Sequence, residues 1–154
     1  MISKKIAELL RDREFISVAT CDFGGKPNVA PKFILKLEDD CLYLVDYVLG
    51  TTFSNLTINP RVSISLMDLD ALTGYQINGR VEIMHKGGEF EKMIGEVKKK
   101  QMDLSIQRIV EGIDSGKKHA SFEVALSDLV VILKVKIQET VEITSSGVLK
   151  REKI

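Results

Sequence analysis

The alternation of apolar and polar residues predicts one N-terminal helix followed by a series of strands. Apolar residues recur at helical spacing over residues 4–11, and Ser3 before them is a suitable N-cap. From Phe15 onward the apolar period becomes two, which is typical of half-buried strands. This pattern predicts strands over residues 15–20, 28–37, 41–47, 61–67, 73–84 and 129–143.

The turns between these strands are short and carry residues that favour reversals. The segment 22–27 contains two glycines and a proline, and residues 38–40 are three consecutive acids. Neighbouring strands joined by tight turns pair antiparallel in the simplest topology. The sequence therefore predicts a mainly β, α+β fold: a single domain over residues 1–144, built on an antiparallel six-stranded barrel with flanking helices.

Residues 89–120 differ in character and are predicted to be a helical insertion. The apolar stripe of a first helix stops at the run Lys98–Lys100, and Asp103 is a plausible start for a second helix. Gly112 and Gly116 are expected in a loop. Residues 145–154 are predicted to form a polar tail that frays unless a partner holds it.

Composition and charge exclude several classes of function. The chain has 154 residues, and its 22 lysines and arginines balance 22 acidic residues. Without an excess positive field, a nucleic-acid-binding role is not expected. No apolar stretch approaches the ~20 residues of a membrane span. Cys21 and Cys41 are expected to be reduced thiols in a cytoplasmic protein.

Catalytic and metal-binding motifs are absent from the sequence. His85 and His119 both lie in polar turns, and neither belongs to a cluster with metal-ligand spacing. No nucleophile elbow, Walker sequence or dinucleotide fingerprint occurs. We therefore predict no metal site and assign no catalytic residue.

The segment from Tyr47 to Asn55 carries the strongest chemical pattern. Gly50 permits a bend, and Thr51 or Thr52 can cap a helix that Pro60 terminates. The N-terminus of such a helix offers free N–H groups and a partial positive charge to a phosphate. The same residues also suit an ordinary N-cap without a ligand.

Three segments follow one another along the chain: FISVATCDFGGKPNVAPKF, CLYLVDYVLGTTFSNLTINPRVSISL and TGYQINGRVEIM. Together they resemble the pyridoxamine 5′-phosphate oxidase-related family of FMN-binding split-barrel proteins, in particular its small FMN-binding and flavin-reductase-like branch. Within them, the N-P-R-V-S run at residues 59–63 and the G-x-x-E run at residues 79–82 stand at the family's spacing. The resemblance implies a split barrel that holds FMN at the interface of a homodimer.

The resemblance also assigns positions to the cofactor. The second strand should line the ring and the ribityl chain, the end of the third strand should pack beside the ring edge, and the following helix should meet the phosphate. The fifth strand should approach the ring. The residues at these positions are Ala30, Pro31, Lys32, Phe33, Val45, Asp46, Tyr47, Thr51, Thr52, Gly74 and Gln76.

One departure from the family concerns the charge at the phosphate. Relatives usually have a lysine or arginine at the position of Thr51 or Thr52, and this chain has neither. Lys32 is the predicted replacement, with Arg61 or a partner-chain residue as a second option. An ordinary exposed strand lysine is the alternative interpretation of Lys32.

The resemblance implies a flavoprotein oxidoreductase that exchanges hydride or electrons with a small molecule, with a nicotinamide cofactor or a redox partner as donor. Vitamin oxidation is not expected, because the chain has no tryptophan and lacks the C-terminal substrate motif of those enzymes. The alternative is a non-catalytic module that binds or senses FMN, haem or a deazaflavin.

Overall fold

A computed structural model describes residues 1–116 and 129–154; His119 and residues 117–120 of the predicted insertion lie outside the described residues. Three helices and seven strands occupy the described part of the chain. The helices are α1 (Lys4–Arg11), α2 (Thr51–Ile58) and α3 (Gly88–Ser115). The strands are β1 (Phe15–Cys21), β2 (Pro27–Glu38), β3 (Cys41–Asp46), β4 (Arg61–Asp68), β5 (Thr73–Met84), β6 (Val131–Ile143) and β7 (Leu149–Lys153).

Six of the strands close into an antiparallel barrel. The order is β3-β2-β1-β4-β5-β6, and β3 also pairs with β6, which closes the ring. Closure removes the free edges that an open sheet would expose. The predicted mainly β fold with an antiparallel six-stranded barrel and flanking helices is confirmed.

The barrel interior and the outer face under α3 form two apolar layers. Alternating residues such as Ile34, Leu44 and Ile64 point inward and are almost fully buried. Phe33 and Val45, one position away on their strands, point outward and pack beneath α3. Each such side chain contributes about 1.5–3 kcal/mol through burial. Both faces of β2 and β3 are therefore covered along these residues.

Helix α3 is a single element of 28 residues, so the predicted break at Lys98–Lys100 is wrong. Lys100 does not interrupt the buried stripe, because its ammonium group turns towards the barrel. Its Nζ donates to the carbonyl oxygens of Ile34 and Leu35 at 2.7 and 3.0 Å, beside a bulge in β2. Burial lowers the pKa of Lys100. The loop predicted at Gly112 is also wrong, since Gly112 lies inside this helix.

The polar C-terminal segment is not frayed as predicted, because Leu149–Lys153 pairs with β6 as strand β7. Its side chains are exposed, so no apolar alternation marked it as a strand. Backbone hydrogen bonds hold it, and two cross-strand ion pairs lie alongside: Lys150 with Glu142 at 3.4 Å and Arg151 with Glu139 at 3.3 Å. An edge strand needs no buried face to pair.

Gly79 lies where β5 and β6 approach too closely for any side chain. The register of the two strands shifts between Asn78 and Gly79. A Cβ atom at Gly79 would stand 2.6 Å from the carbonyl oxygen of Lys136. Only a residue without a side chain therefore fits at this position without a shift of the backbone.

We predict that Gly79→Ala destabilises the protein by about 1–3 kcal/mol, the usual cost of forcing an added group into a packed site. The matched control is Gly74→Ala on the same strand, where the added Cβ would meet Ile143 Cβ at an ordinary 3.6 Å. That variant should change stability by less than about 0.5 kcal/mol. Urea unfolding of both variants measures the difference, and equal stabilities would contradict the steric argument.

Candidate functional site

A cleft of about 240 Å³ opens between β2, the end of β3 and the N-terminus of α2. Asn28, Ala30 and Lys32 reach it from one face of β2, since alternate residues of a strand share a face. The lining residues are Asn28, Ala30, Pro31, Lys32, Asp46, Tyr47, Val48, Gly50, Thr51 and Thr52. Seven of the eleven residues predicted to bind the cofactor thus lie together.

The N-terminus of α2 faces the cleft without a side-chain cap. The helix begins at Thr51 with Gly50 as its N-cap, so the expected capping by Thr51 or Thr52 is wrong. A glycine cap offers no side-chain oxygen to the first N–H groups of the helix. These groups and the helix dipole make this end attractive to an anion.

The hydroxyl of Thr52 belongs to a hydrogen-bond network that joins α2 to the barrel. Asn28 Nδ2 donates to Thr52 Oγ1 at 3.0 Å and to Thr20 Oγ1 at 3.4 Å. Asn55 Nδ2 donates to the same Thr20 oxygen at 3.1 Å. Thr52, Thr20 and Asn55 are all buried. The network fixes the start of α2 against the first half of β2, while the side chain of Thr51 stays exposed.

A buried ion pair forms the wall at the other end of the cleft. Lys32 Nζ lies 2.7 Å from Asp46 Oδ1, and the two side chains are only 6% and 1% exposed. The pairing of Phe33 with Val45 places Lys32 and Asp46 side by side on adjacent strands. The N–H of Val48 also donates to Asp46 Oδ1, at 3.4 Å.

The predicted role of Lys32 as a free cation for the phosphate does not fit this geometry, because Asp46 already neutralises its charge. The alternative interpretation as an exposed strand lysine does not fit either, since Lys32 is buried. Arg61, the second option, lies on β4 and does not line the cleft. Among the described residues, the cleft therefore contains no unpaired cation.

Tyr47 is the remaining titratable residue of the cleft. Burial raises the pKa of the Tyr47 hydroxyl, and the nearby negative charges of Asp46 and Glu14 raise it further. The phenol is therefore neutral around pH 7 and serves as a hydrogen-bonding and packing group rather than as a base.

Four predicted cofactor residues lie outside the cleft. Phe33 and Val45 are buried beneath α3. Gly74 and Gln76 belong to β5, on the far side of β1 and β4 from the cleft. Gln76 Nε2 donates to Ser63 Oγ on β4 at 2.9 Å. Phe33 and Val45 thus adjoin the cleft from the outer face of the barrel, whereas one copy of the chain does not bring Gly74 and Gln76 to it.

Sequence reasoning missed three of the cleft residues. Asn28 shares the face of Ala30 and Lys32, so strand alternation was sufficient to find it. Val48 and Gly50 line the cleft from the loop before α2. Loop positions of this kind have no periodicity that would indicate where they face.

A second, shallower groove of about 400 Å³ runs over the outer surface of the barrel. Ala19 and Cys21 of β1, Ser63 of β4 and Asn78 of β5 contribute to it. The hydrogen bond from Asn78 Nδ2 to Glu139 Oε2, at 2.8 Å, lies beside it. The groove has no lining residue in common with the cleft.

Other classes of site were sought in the part of the chain that the structure describes. No group of three or more residues there has the arrangement of a metal site. His85 is exposed on the loop after β5. No helix of the described segments has the length and apolarity to cross a membrane.

Three solved structures have folds similar to that of this chain. A Clostridium acetobutylicum protein related to general stress protein 26 of Bacillus subtilis is 18% identical, with a TM-score of 0.68 over 99% of this chain and 97% of that one. HupZ of Group A Streptococcus is 20% identical, with a TM-score of 0.64 over 94% and 96%. A Nostoc punctiforme FMN-binding protein related to pyridoxamine 5′-phosphate oxidase is 10% identical, with a TM-score of 0.60 over 100% and 98%.

Identities this low establish the fold alone, and no curated protein matches the chain. The family profile for pyridoxamine 5′-phosphate oxidase, by contrast, matches residues 2–138. That match includes the whole cleft and most of the barrel. The chain therefore belongs to the pyridoxamine 5′-phosphate oxidase family.

Proposed function

We propose that the protein binds FMN in the cleft, with the phosphate at the N-terminus of α2 and the ring beside Lys32 and Asp46. The observation that carries the proposal is the uncapped α2 N-terminus, which opens into a cleft lined by seven residues assigned to the cofactor from sequence. Membership of the family supports it. The FMN-binding relative from Nostoc punctiforme has the same fold.

The residues that would hold the phosphate are few. The N–H groups of the first turn of α2 and the exposed hydroxyl of Thr51 are donors, and the helix end supplies roughly half a positive charge. Lys32 is bound to Asp46 and adds no net charge. We therefore expect the phosphate to contribute less to affinity here than in relatives with a basic residue at this position.

A second copy of the chain would complete the site. The cleft of about 240 Å³ is below the ~300–1,000 Å³ of most ligand pockets. Gly74 and Gln76 are separated from the cleft within one chain, so they meet the ring only if they come from a partner. The outer groove beside β1, β4 and β5 is a suitable contact surface. A symmetric homodimer brings each groove over the partner's cleft.

The chemistry we propose is oxidoreduction of a small molecule, with a nicotinamide cofactor as the electron donor. FMN, when bound, supplies the hydride- or electron-transfer chemistry. The chain's residues bind and orient it, and the second copy excludes water from the ring. Both cysteines, Cys21 and Cys41, are free thiols, which supports a reducing compartment such as the cytoplasm.

The second candidate is a non-catalytic module that binds FMN, haem or a deazaflavin. The cleft favours it in one respect: its carboxylate, Asp46, is held in an ion pair, and Tyr47 keeps its proton. No lining residue is thus placed to move a proton. Steady NADH- or NADPH-dependent reduction of an artificial acceptor distinguishes the enzyme from this module.

We predict that the protein purified without added cofactor shows the visible absorption of oxidised flavin. Mass spectrometry of the chromophore released on denaturation should identify FMN. A colourless protein that also fails to bind added FMN would refute the proposed function and leave only the barrel fold.

A cation at the phosphate position should strengthen FMN binding. In Thr51→Lys, the exposed side chain at the start of α2 places an ammonium beside the phosphate, and we expect about tenfold tighter FMN binding. Riboflavin, which lacks the phosphate, is the matched control ligand and should bind with unchanged affinity. Fluorescence titration of both ligands measures this, and equal gains would place the phosphate elsewhere.

Blocking the outer groove should separate the two copies and release the flavin. Ala19→Arg puts a long charged side chain into the groove. We expect a monomer by light scattering, with FMN affinity at least tenfold weaker and an unchanged circular dichroism spectrum. Glu91→Arg, at an exposed position of α3, is the control and should remain dimeric. A monomeric Ala19→Arg that binds FMN normally would contradict a shared site.

A further inference from the structure

We propose that Asp46 selects the ligand's ring: its second carboxylate oxygen accepts a hydrogen bond from the imide N3–H of the isoalloxazine. This inference rests on the proposed flavin function and adds the group by which this chain recognises the ring.

The proposal starts from a buried oxygen atom without a partner. Asp46 Oδ1 receives hydrogen bonds from Lys32 Nζ at 2.7 Å and from the N–H of Val48 at 3.4 Å. Asp46 Oδ2 is buried and has no hydrogen-bond partner among the described residues. An unmade hydrogen bond to a buried ionised group is costly, and such atoms are rare in native proteins. Asp46 lines the cleft, so its carboxylate is part of the wall that a bound molecule faces.

The chemistry of this oxygen determines which kind of ligand group can bind to it. An ionised carboxylate only accepts hydrogen bonds, so the facing group of the ligand must be an N–H or O–H donor. A phosphate or a carbonyl oxygen at this place would meet repulsion. The side chains of Ala30, Pro31 and Val48, which also line the cleft, offer no donor of their own. A ligand in the cleft can supply the donor that this oxygen lacks among the described residues.

The spacing along β2 indicates which donor of the flavin this is. Asn28 is hydrogen-bonded to Thr52 at the start of α2, and Lys32 is paired with Asp46. The four residue steps from Asn28 to Lys32 span about 13 Å of strand. With the phosphate at α2, the five-carbon ribityl chain ends short of that distance. The ring then lies level with Asp46, and the imide N3–H is the ring donor of oxidised flavin.

Lys32 gives the carboxylate its fixed position and charge. The buried ammonium balances the charge of the Asp46 carboxylate, so the pair brings no excess negative charge to the cleft. The ion pair also fixes which oxygen faces the ligand. A site of this type rejects analogues that lack the donor, since the buried acceptor is then left unpaired.

The test compares FMN with 3-methyl-FMN, in which a methyl group replaces the imide proton. On the unmodified protein we expect 3-methyl-FMN to bind at least tenfold more weakly than FMN, by fluorescence titration or calorimetry. Equal binding of the two ligands overturns this inference and leaves the proposed function intact. Failure of both ligands to bind removes the proposed function and this inference with it.

A variant separates the hydrogen bond from a simple steric effect of the methyl group. Lys32→Met/Asp46→Leu replaces the ion pair by apolar side chains of similar size, an exchange that buried ion pairs commonly tolerate. FMN should bind this variant at least tenfold more weakly than the unmodified protein, and the preference for FMN over 3-methyl-FMN should disappear. A preference that persists in the double variant would mean a steric origin and overturn the role of Asp46.

Discussion

The pairing of β3 with both β2 and β6 is the constraint on which the rest of the molecule depends. It closes the barrel, so that no central strand keeps a free edge. It also determines where β3 ends. Asp46 is the last residue of that strand, held opposite Lys32 on one side and Val131 on the other. The loop that follows has only four residues before α2, so the same pairing places the helix N-terminus over β2.

The buried pair of Lys32 and Asp46 carries a desolvation cost that a stable barrel alone does not require. Removing two charges from water costs several kcal/mol per ion, and apolar residues in the same space are often as stable or more so. The ligand contact that we propose for Asp46 Oδ2, which has no partner in the part of the chain that the structure describes, gives the pair a role beyond stability.

Most of the fold was predictable because a half-buried strand shows a regular alternation of apolar and polar residues in the sequence. The stretch of β4 in which Val62, Ile64 and Leu66 alternate with polar residues is an example. Strand β7 was not predictable, because an edge strand held by backbone hydrogen bonds has no apolar face. The continuity of α3 was missed at Lys100. The sequence alone does not distinguish a solvated lysine from one whose aliphatic chain packs and whose ammonium group donates to carbonyl oxygens.

In the cleft, too, some features were predictable from the sequence and others depend on the three-dimensional structure. The family resemblance assigned positions on β2 and at the start of α2 to one site, and the structure brings seven of the assigned residues together in the cleft. The state of Lys32 was not predictable, because its partner Asp46 is fourteen residues away and only the strand register brings them together. Because of that register, Lys32 is paired with Asp46 and is not a free cation. The ammonium of Lys32 is held by a carboxylate within the barrel end, so under the proposed function the phosphate depends on the N–H groups of α2 and the ring on the Lys32–Asp46 pair.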